Sequence, residues 1–168
     1  MIRKHKKYSR PRKKFDKTRI EEENKLLERY GLKSKREIWK ADARIDEIRR
    51  QAKKLITSSH EEQEKLFNKL RGMGFKIKNM ADVLGLGKED WLKRRLQSLV
   101  VEKKLARKAK QARQLIVHKH IAIDNEIINV PSYIVSVGEE DKIKIVKINK
   151  RLEDIAEKIK ANKERKDE

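Results

Sequence analysis

The sequence predicts an α+β protein in which a helical N-terminal region precedes a small module of two helices and a short, curved antiparallel sheet. Through most of residues 20–118, apolar residues recur at steps of three and four, which is typical of amphipathic helices. Beyond that point they alternate with polar residues, which is typical of half-buried strands. We expect a basic arm at 1–19, a helical domain at 20–90, the module at 91–148 and a charged helical tail at 149–168.

The charge of the chain restricts its partners. Its 47 Lys and Arg residues outnumber its 27 Asp and Glu residues, so the net charge is +20 at pH 7. Such an excess opposes the compact state unless a polyanion neutralises it. Nucleic acid is therefore the expected partner, ahead of an anionic membrane surface.

Composition also excludes several kinds of site. Without cysteine there is no disulfide and no thiolate metal site. Only His118 and His120 lie close together, without a carboxylate at ligand spacing, so we expect no metal and no cofactor. No apolar run is long enough to span a bilayer, and we expect a soluble protein that is not exported. No nucleophile, paired carboxylates or phosphate loop stands at a recognisable spacing, which argues against an enzyme.

The first 19 residues carry ten bases and one acid, which predicts a segment that is disordered on its own. Tyr8 and Phe15, interleaved with these bases, are interpreted either as solvated side chains or as stacking partners for nucleotides. The following stretch RIEEENKLLERYG predicts a short helix with Gly31 just past its end.

A long helix is predicted next. Ser34 and Glu37 have the spacing of a capping box, and the apolar stripe behind them comprises Ile38, Ala41, Ile45, Ile48, Ala52 and Leu55. Bases near its end lie off this stripe, either as a solvated face or as a face that follows phosphates, and we favour phosphate contact for Arg49, Arg50 and Lys53.

Three further helices are predicted before the module's second half. A second capping box, Ser59 with Glu62, begins a helix carrying Leu66, Phe67 and Leu70. A short helix in MADVLGL follows, and then one helix through GKEDWLKRRLQSLVVEKKLA, with Leu92, Leu96 and Leu99 on its apolar side. We interpret Trp39 and Trp91 as core residues rather than base-stacking platforms.

The stretch QARQLIVHKHIAIDN changes from helical to strand periodicity near His118. Strands are predicted in HIAID, EIINV, YIVSV and KIKIV, with turns at Asn125 and at 138–141. The basic junction is open to three interpretations: a packing corner, a metal or catalytic histidine pair, or a surface that reads a negatively charged partner. We expect the bases around it to lie together and to contact RNA, namely Arg94, Lys108, Lys110, Arg113 and Lys119. Arg113→Ala is expected to weaken RNA binding and to lower its salt dependence by about one phosphate.

Residues 84–106 and 111–137 together resemble the small-subunit ribosomal protein number four, the universal S-four family. The second block is similar to the RNA-binding module named after that protein, in which an Ala-Arg-Gln helix runs into a His-x-His-Ile strand and a Pro-Ser corner. The basic arm and the leader IEEENKLLERYGLKSKREIWKADARIDEIRRQAKKL extend the resemblance over about 145 residues.

The resemblance implies a cytoplasmic protein of the ribosome that binds small-subunit ribosomal RNA, nucleates assembly of the subunit body and is not a DNA-binding or membrane protein. It further implies a neighbour of the S-five family, a position beside the channel through which messenger RNA enters, and an influence on decoding accuracy. By position in the motif, the RNA-facing residues implied are Arg94, Arg95, Lys110, Arg113, Gln114, His118, Lys119 and His120. A free RNA-binding factor or RNA chaperone with the same module is the alternative.

The sequence also departs from that family's pattern. Many bacterial members bind zinc through N-terminal cysteines, which are absent here, so the chain looks more like the archaeal and eukaryotic branch. Lys108 stands where a capping Ser is common, which puts that cap in doubt. Lys119 stands where a glycine is common, which suggests that no left-handed residue is needed there or that the junction is reshaped.

Overall fold

The computed structural model describes residues 8–146 and confirms the α+β class. Its helices are α1 Lys17–Arg29, α2 Lys35–Leu55, α3 His60–Gly72, α4 Met80–Gly85, α5 Lys88–Lys93, α6 Leu96–Glu102, α7 Ala109–Val117 and α8 Val137–Glu140. Its strands are β1 Ile121–Ile123, β2 Glu126–Ile127 and β3 Ile143–Ile145. The predicted tail at 149–168 lies outside the described residues, and the domain boundaries stay predictions.

The small sheet is antiparallel, with β1 between β2 and β3. Ile123 pairs with Glu126 on one side and with Ile143 on the other. All three residues of β1 are buried, so the half-buried alternation expected for this strand, in which Ala122 would lie on the side opposite Ile121 and Ile123, is wrong. A central strand in this small module is covered on both faces, which removes the half-exposed pattern.

Three apolar clusters hold the described residues together. The first is the core of the module, where Leu96 and Leu99 of α6 pack with Ile116 of α7 and with the sheet. The second joins the buried face of α2 to α3 and α4, and the third joins α1 to α2 and α5. Trp91 packs against both of the latter clusters and Trp39 against the third, so the prediction that both pack in the core is confirmed, although each remains half-buried and keeps an exposed part.

Periodicity predicted the helical region well. Along α2, Ile38, Ala41, Ile45 and Ala52 are buried, and α3 buries Leu66, Phe67 and Leu70. Helix α1 begins earlier than expected, at Lys17, because Asp16 accepts a hydrogen bond from the backbone of Arg19 as its N-cap. Gly31 lies just past the C-cap with φ +58°, as predicted.

The two predicted capping boxes are wrong in their hydrogen bonds. Ser34 and Ser59 are the N-cap residues of α2 and α3, but neither side chain makes a capping hydrogen bond. The carboxylate of Glu37 instead accepts from the amide of Lys33 and pairs with arginines of the module. The side chain of Glu37, which the predicted capping box would have used locally, thus forms ion pairs with residues distant in the sequence.

The long helix predicted through residues 87–106 is broken into α5 and α6. At the break, Arg95 is extended and forms an isolated bridge with Ile134, while the amide of Leu96 donates to the carbonyl of Tyr133 at 2.8 Å. The same bridge explains why YIVSV is not a strand of the sheet, since its backbone pairs with the helix break instead. The predicted turn at 138–141 is mostly the single helical turn α8.

No helix among residues 8–146 is long and apolar enough to cross a membrane.

Candidate nucleic-acid interface

Helix α7 divides cleanly into a buried side and an exposed side. Ala112 and Ile116 are fully buried in the core of the module. Lys110, Gln114 and His118 follow one another at steps of four and are exposed. Residues at this spacing share one face of a helix. The module therefore presents a continuous polar and basic strip along α7.

The junction after α7 turns sharply through a left-handed residue. Lys119 has φ +64°, and the amide of His120 donates to the carbonyl of Leu115 at 2.9 Å. The expectation that this junction needs no left-handed residue is therefore wrong: a lysine occupies the conformation that glycine adopts without strain, at a cost of about 1 kcal/mol. The turn directs Lys119 outwards at the end of the α7 strip.

The two histidines do not form a close pair. Their ring centroids are 6.5 Å apart; His118 is exposed and His120 half-buried. Within residues 8–146 there is no group of three or more His, Asp or Glu side chains that could hold a metal ion.

Bases from three helices meet beside the start of α7. Lys108 is the N-cap residue without a capping hydrogen bond from its side chain, so the doubt about this cap is confirmed. An open hollow of about 700 Å³ lies there. Its basic lining comprises Arg29, Lys93, Arg107, Lys108 and Lys110.

Arg113 and Arg95 converge on one carboxylate. Nη2 of Arg113 lies 2.9 Å from Oε1 of Glu37, and Nη2 of Arg95 contacts Oε2 of the same side chain. Burial by itself would raise the pKa of Glu37, but hydrogen bonds from Arg113 and Arg95 outweigh it and hold the pKa below its ordinary value. The arginine side chains remain 24% and 5% exposed, respectively. Both arginines therefore connect the module to α2.

Arg94, which precedes the break between α5 and α6, connects the module to the end of α3. Its Nε donates to the carbonyl of Met73 at 2.8 Å, and its Nη2 donates to Glu140 at 3.0 Å. A Cβ at Gly74, where φ is +84°, would lie 2.3 Å from the guanidinium. The space for Arg94 therefore depends on that glycine.

The structure divides the predicted cluster of bases rather than bringing it together. Arg94 lies against the end of α3 and α8, whereas Arg113 lies against α2. Lys108 and Lys110 line the hollow beside α1, and Lys119 follows α7. Of this set, the three lysines are exposed and the two arginines are half-buried.

The bases of α2 occupy a separate place. Arg49 donates to the carbonyl of Leu86 at 2.6 Å, and Nε of Arg50 donates to the carbonyl of Asp46. Together with Lys53 they line a groove of about 1110 Å³, which Tyr8 and Trp39 also line. These two rings have centroids 6.2 Å apart, so Tyr8 packs beside the core tryptophan in this structure. Phe15 is 92% exposed.

Comparisons with known proteins identify the family. The S4 domain family matches residues 94–141. The chain is 45% identical over 144 residues to small ribosomal subunit protein uS4 of Methanothermobacter thermautotrophicus, an alignment that covers 82% of this chain and 84% of that protein. It is 48% identical to the uS4 protein of Methanococcus aeolicus, with 74% and 75% covered, and 44% identical to that of Thermoplasma volcanium, with 83% and 74% covered. The chain belongs to the uS4 family.

Membership of the uS4 family confirms several expectations. The resemblance to the archaeal branch is confirmed by these relatives. The expectations of a ribosomal RNA-binding protein of the small subunit, located on the ribosome in the cytoplasm, and of a protein that is not an enzyme are confirmed as well.

Sequence reasoning missed two residues that position the uS4-type module. Gln97 is 1% exposed, and its amide nitrogen donates to the carbonyls of Tyr30, Gly31 and Ala109 at 2.9–3.0 Å. Glu37 was interpreted only as part of a cap. The buried position of Gln97 could have been inferred from its place inside the apolar run LQSLVV, where a polar side chain is unusual. By contrast, no residue near Glu37 in the sequence indicates which residues it contacts.

Proposed function

We propose that this chain is a primary ribosomal RNA-binding protein that nucleates assembly of the body of the small ribosomal subunit. The exposed strip along α7 carries this proposal. It comprises Lys110, Gln114, His118 and Lys119, all of which are exposed, and none of the four is a carboxylate. Lys108 and the half-buried His120 flank the strip in the chain. Lysines suit the phosphate backbone, and the amide and imidazole groups suit hydrogen bonds to folded RNA.

The bases of α2 supply a second contact in this proposal. Arg49 is half-buried and lies 3.5 Å from the carboxylate of Asp46, whereas Arg50 and Lys53 are exposed, so these two carry the positive charge that reaches solvent along the groove. Two basic surfaces at separate places favour a partner that is itself folded, because only such an RNA brings phosphates to both. A protein that binds any single strand needs one continuous channel instead.

Three arginines of the module, Arg94, Arg95 and Arg113, have a different role in the same proposal. Arg95 is buried, while Arg94 and Arg113 are partly exposed, and each pairs with a carboxylate. We assign Arg95 to positioning the module against α2. Arg94 and Arg113 keep an exposed part that is able to contact RNA while the rest of the side chain holds the structure.

The proposal extends to the neighbours of the chain on the ribosome. We infer contact with an S-five family protein, a place beside the channel through which messenger RNA enters, an influence on decoding accuracy and no role in DNA binding. Support comes from the resemblance of the two motif blocks and the leader to the family pattern.

A salt titration of RNA binding tests the main proposal. The measurement is the dissociation constant for the 5′ domain of small-subunit ribosomal RNA, with transfer RNA and duplex DNA as competitors. We expect tight binding that survives both competitors at physiological salt. Equal competition by all three nucleic acids would show that charge alone is acting and would contradict the proposal.

Sedimentation with ribosomal subunits separates a structural protein from a free factor. A structural component should remain with the small subunit through a high-salt wash, because it makes contacts at many places. Quantitative release into the wash fraction would favour the free RNA-binding factor.

A further inference from the structure

A cleft of about 590 Å³ lies between the beginning of α2 and the segment at 131–134 of the module. We call it the α2–module cleft. Its cations are Lys33, Arg36, Lys40, Arg44, Arg95 and Arg113, and among the described residues that line it Glu37 is the one carboxylate. The positive potential of such a concave site concentrates anions.

Three of these cations are free to bind a ligand. Within residues 8–146, the side chains of Lys33, Arg36 and Lys40 are in no ion pair, and all three residues are exposed. By contrast, Nη1 of Arg44 lies 2.8 Å from Glu47. The free cations therefore lie along the rim of the cleft at the first turns of α2, where the helix dipole adds further positive potential.

The base of the cleft contains an unsatisfied donor. The Arg95 side chain is 5% exposed, and its Nε has no hydrogen-bond partner in the described part of the chain. Glu37 is shared between Arg95 and Arg113, so one carboxylate faces two guanidinium groups. The two guanidinium groups and the one carboxylate therefore leave a net positive charge on this wall of the cleft, which adds to that of the exposed cations.

The same cleft offers apolar surface. Trp91, Pro131 and Ile134 line it and are half-buried, and Trp91 stacks on Phe75 with ring centroids 6.1 Å apart. Apolar and aromatic surface beside a group of cations matches the two parts of a nucleotide, because a base is flat and weakly polar while its phosphate is charged.

We propose that the α2–module cleft binds a single nucleotide unit of RNA, with its phosphate at Arg36 and Lys40 and its base against Trp91 and Pro131. The proposal rests on the RNA-binding function proposed above and adds a site outside the α7 strip. An unpaired nucleotide fits best, because a base within a duplex does not expose its face. The cleft then makes RNA binding depend on both the helical region and the module, since each supplies one wall.

Charge-removing variants test the phosphate part. The double variant Arg36→Ala/Lys40→Ala is compared with Lys65→Ala, which removes an exposed, unpaired cation of α3 that lines none of the described cavities. We expect the double variant to bind the 5′ domain of small-subunit ribosomal RNA at least about tenfold more weakly, with a salt slope lower by about 0.7, the value of the one phosphate that these two cations share. We expect Lys65→Ala to change the dissociation constant by less than about twofold.

Tryptophan fluorescence tests the base part. The chain has two tryptophans, so in a Trp39→Phe chain all tryptophan emission comes from Trp91, and selective excitation separates it from that of the three tyrosines. Addition of the 5′ domain RNA should quench its emission in step with binding, and the added Arg36→Ala/Lys40→Ala changes should abolish the quenching at RNA concentrations that still saturate the α7 strip.

The outcomes separate this proposal from the function on which it rests. If the double variant binds the RNA as tightly as Lys65→Ala does, the cleft is not an RNA site and the proposal is overturned, although specific binding to the 5′ domain would leave the function intact. Weaker binding without quenching of Trp91 would overturn the placement of the base. Quenching by polyglutamate but not by RNA would assign the cleft to an acidic protein segment. Loss of all preference for the 5′ domain in the unmodified chain would overturn both proposals.

Discussion

Two regions of the molecule contain similar residues but differ in what those residues contact. The first is the set of ion pairs and hydrogen bonds that connects the module to the helical region, which we call the joint. The second is the exposed strip of α7. At the joint, Arg95 and Arg113 share Glu37, and Arg94 holds the end of α3. On the strip, Lys110, Gln114 and Lys119 face solvent. The comparison shows that a positive charge in this chain has one of two roles, and that burial and pairing decide which. Arginine suits the joint because its planar fork binds carboxylates and carbonyls at several points.

Removing Glu37 should break the joint and have the largest effect. Glu37→Ala leaves Arg95 buried without its acceptor, so the free energy of unfolding should fall by about 3 to 4 kcal/mol in a urea titration. The matched control is Glu47→Ala, which removes an exposed ion pair with Arg44 and should cost less than about 1 kcal/mol. Equal losses in the two variants would show that the joint contributes no more than a surface pair.

Truncating a buried side chain of α7 should lower the free energy of unfolding almost as much. Ile116→Ala removes a side chain that is 0% exposed and should lower the free energy of unfolding by about 2 to 4 kcal/mol. Its neighbour Val117 is 51% exposed, so Val117→Ala should change stability by less than about 0.5 kcal/mol. If Ile116→Ala kept full stability and abolished RNA binding, the assignment of the two sides of α7 would be reversed.

Lowering the pH should reduce the free energy of unfolding by less than Glu37→Ala does. The pKa of Glu37 lies below its ordinary value of 4.5, so this carboxylate stabilises the fold above that pH and the contribution is lost as the pH falls through the folded-state pKa. The measurement compares Glu37→Gln with the unmodified chain by urea titration from pH 7 to pH 3. The stability difference should shrink below about pH 4.5. A difference that stays constant across this range would mean that Glu37 is not the titrating group.

Lys119→Gly should raise stability while weakening RNA binding. Glycine removes the strain at φ +64°, so the free energy of unfolding should rise by about 1 kcal/mol, and the salt dependence of RNA binding should fall because one cation is lost. Lys104 has φ +58° and lies outside the strip, so Lys104→Gly is the control. It should bring the same gain in stability without a change in the salt dependence. Weakened RNA binding in both variants would remove Lys119 from the strip.

Lys110→Ala should have the smallest effect on the fold and a clear one on RNA binding. Lys110 is exposed and in no ion pair within residues 8–146, so stability should change by less than about 0.5 kcal/mol. The slope of log affinity against log salt should fall by about 0.7, the value of one phosphate. Arg113→Ala should lower this slope too, as the sequence suggested, but it should also destabilise the fold because Glu37 loses a partner. Unchanged stability of Arg113→Ala would move this arginine from the joint to the strip.

Much of the local structure was predictable because short-range rules decide it. The stripe from Ile38 to Leu55 fixed the buried side of α2, and the change of period near His118 placed the end of α7 and the start of β1. These features depend on residues that are neighbours along one helix or strand. The break at Arg94 and Arg95 was not predictable in this way, because the residues that stabilise it lie at 133–135.

The sequence by itself determined the charge, the helical periodicity and the two motif blocks, and these were enough to indicate the family and an RNA partner. Only the tertiary structure decided which bases are free. Glu37 and Arg113 are 76 positions apart, and their contact exists because the first turn of α2 lies within reach of the Arg113 side chain, which also contacts the buried Gln97. An ion pair between distant residues leaves no periodic signal in the chain, whereas a helix face does, since its members repeat every three or four residues.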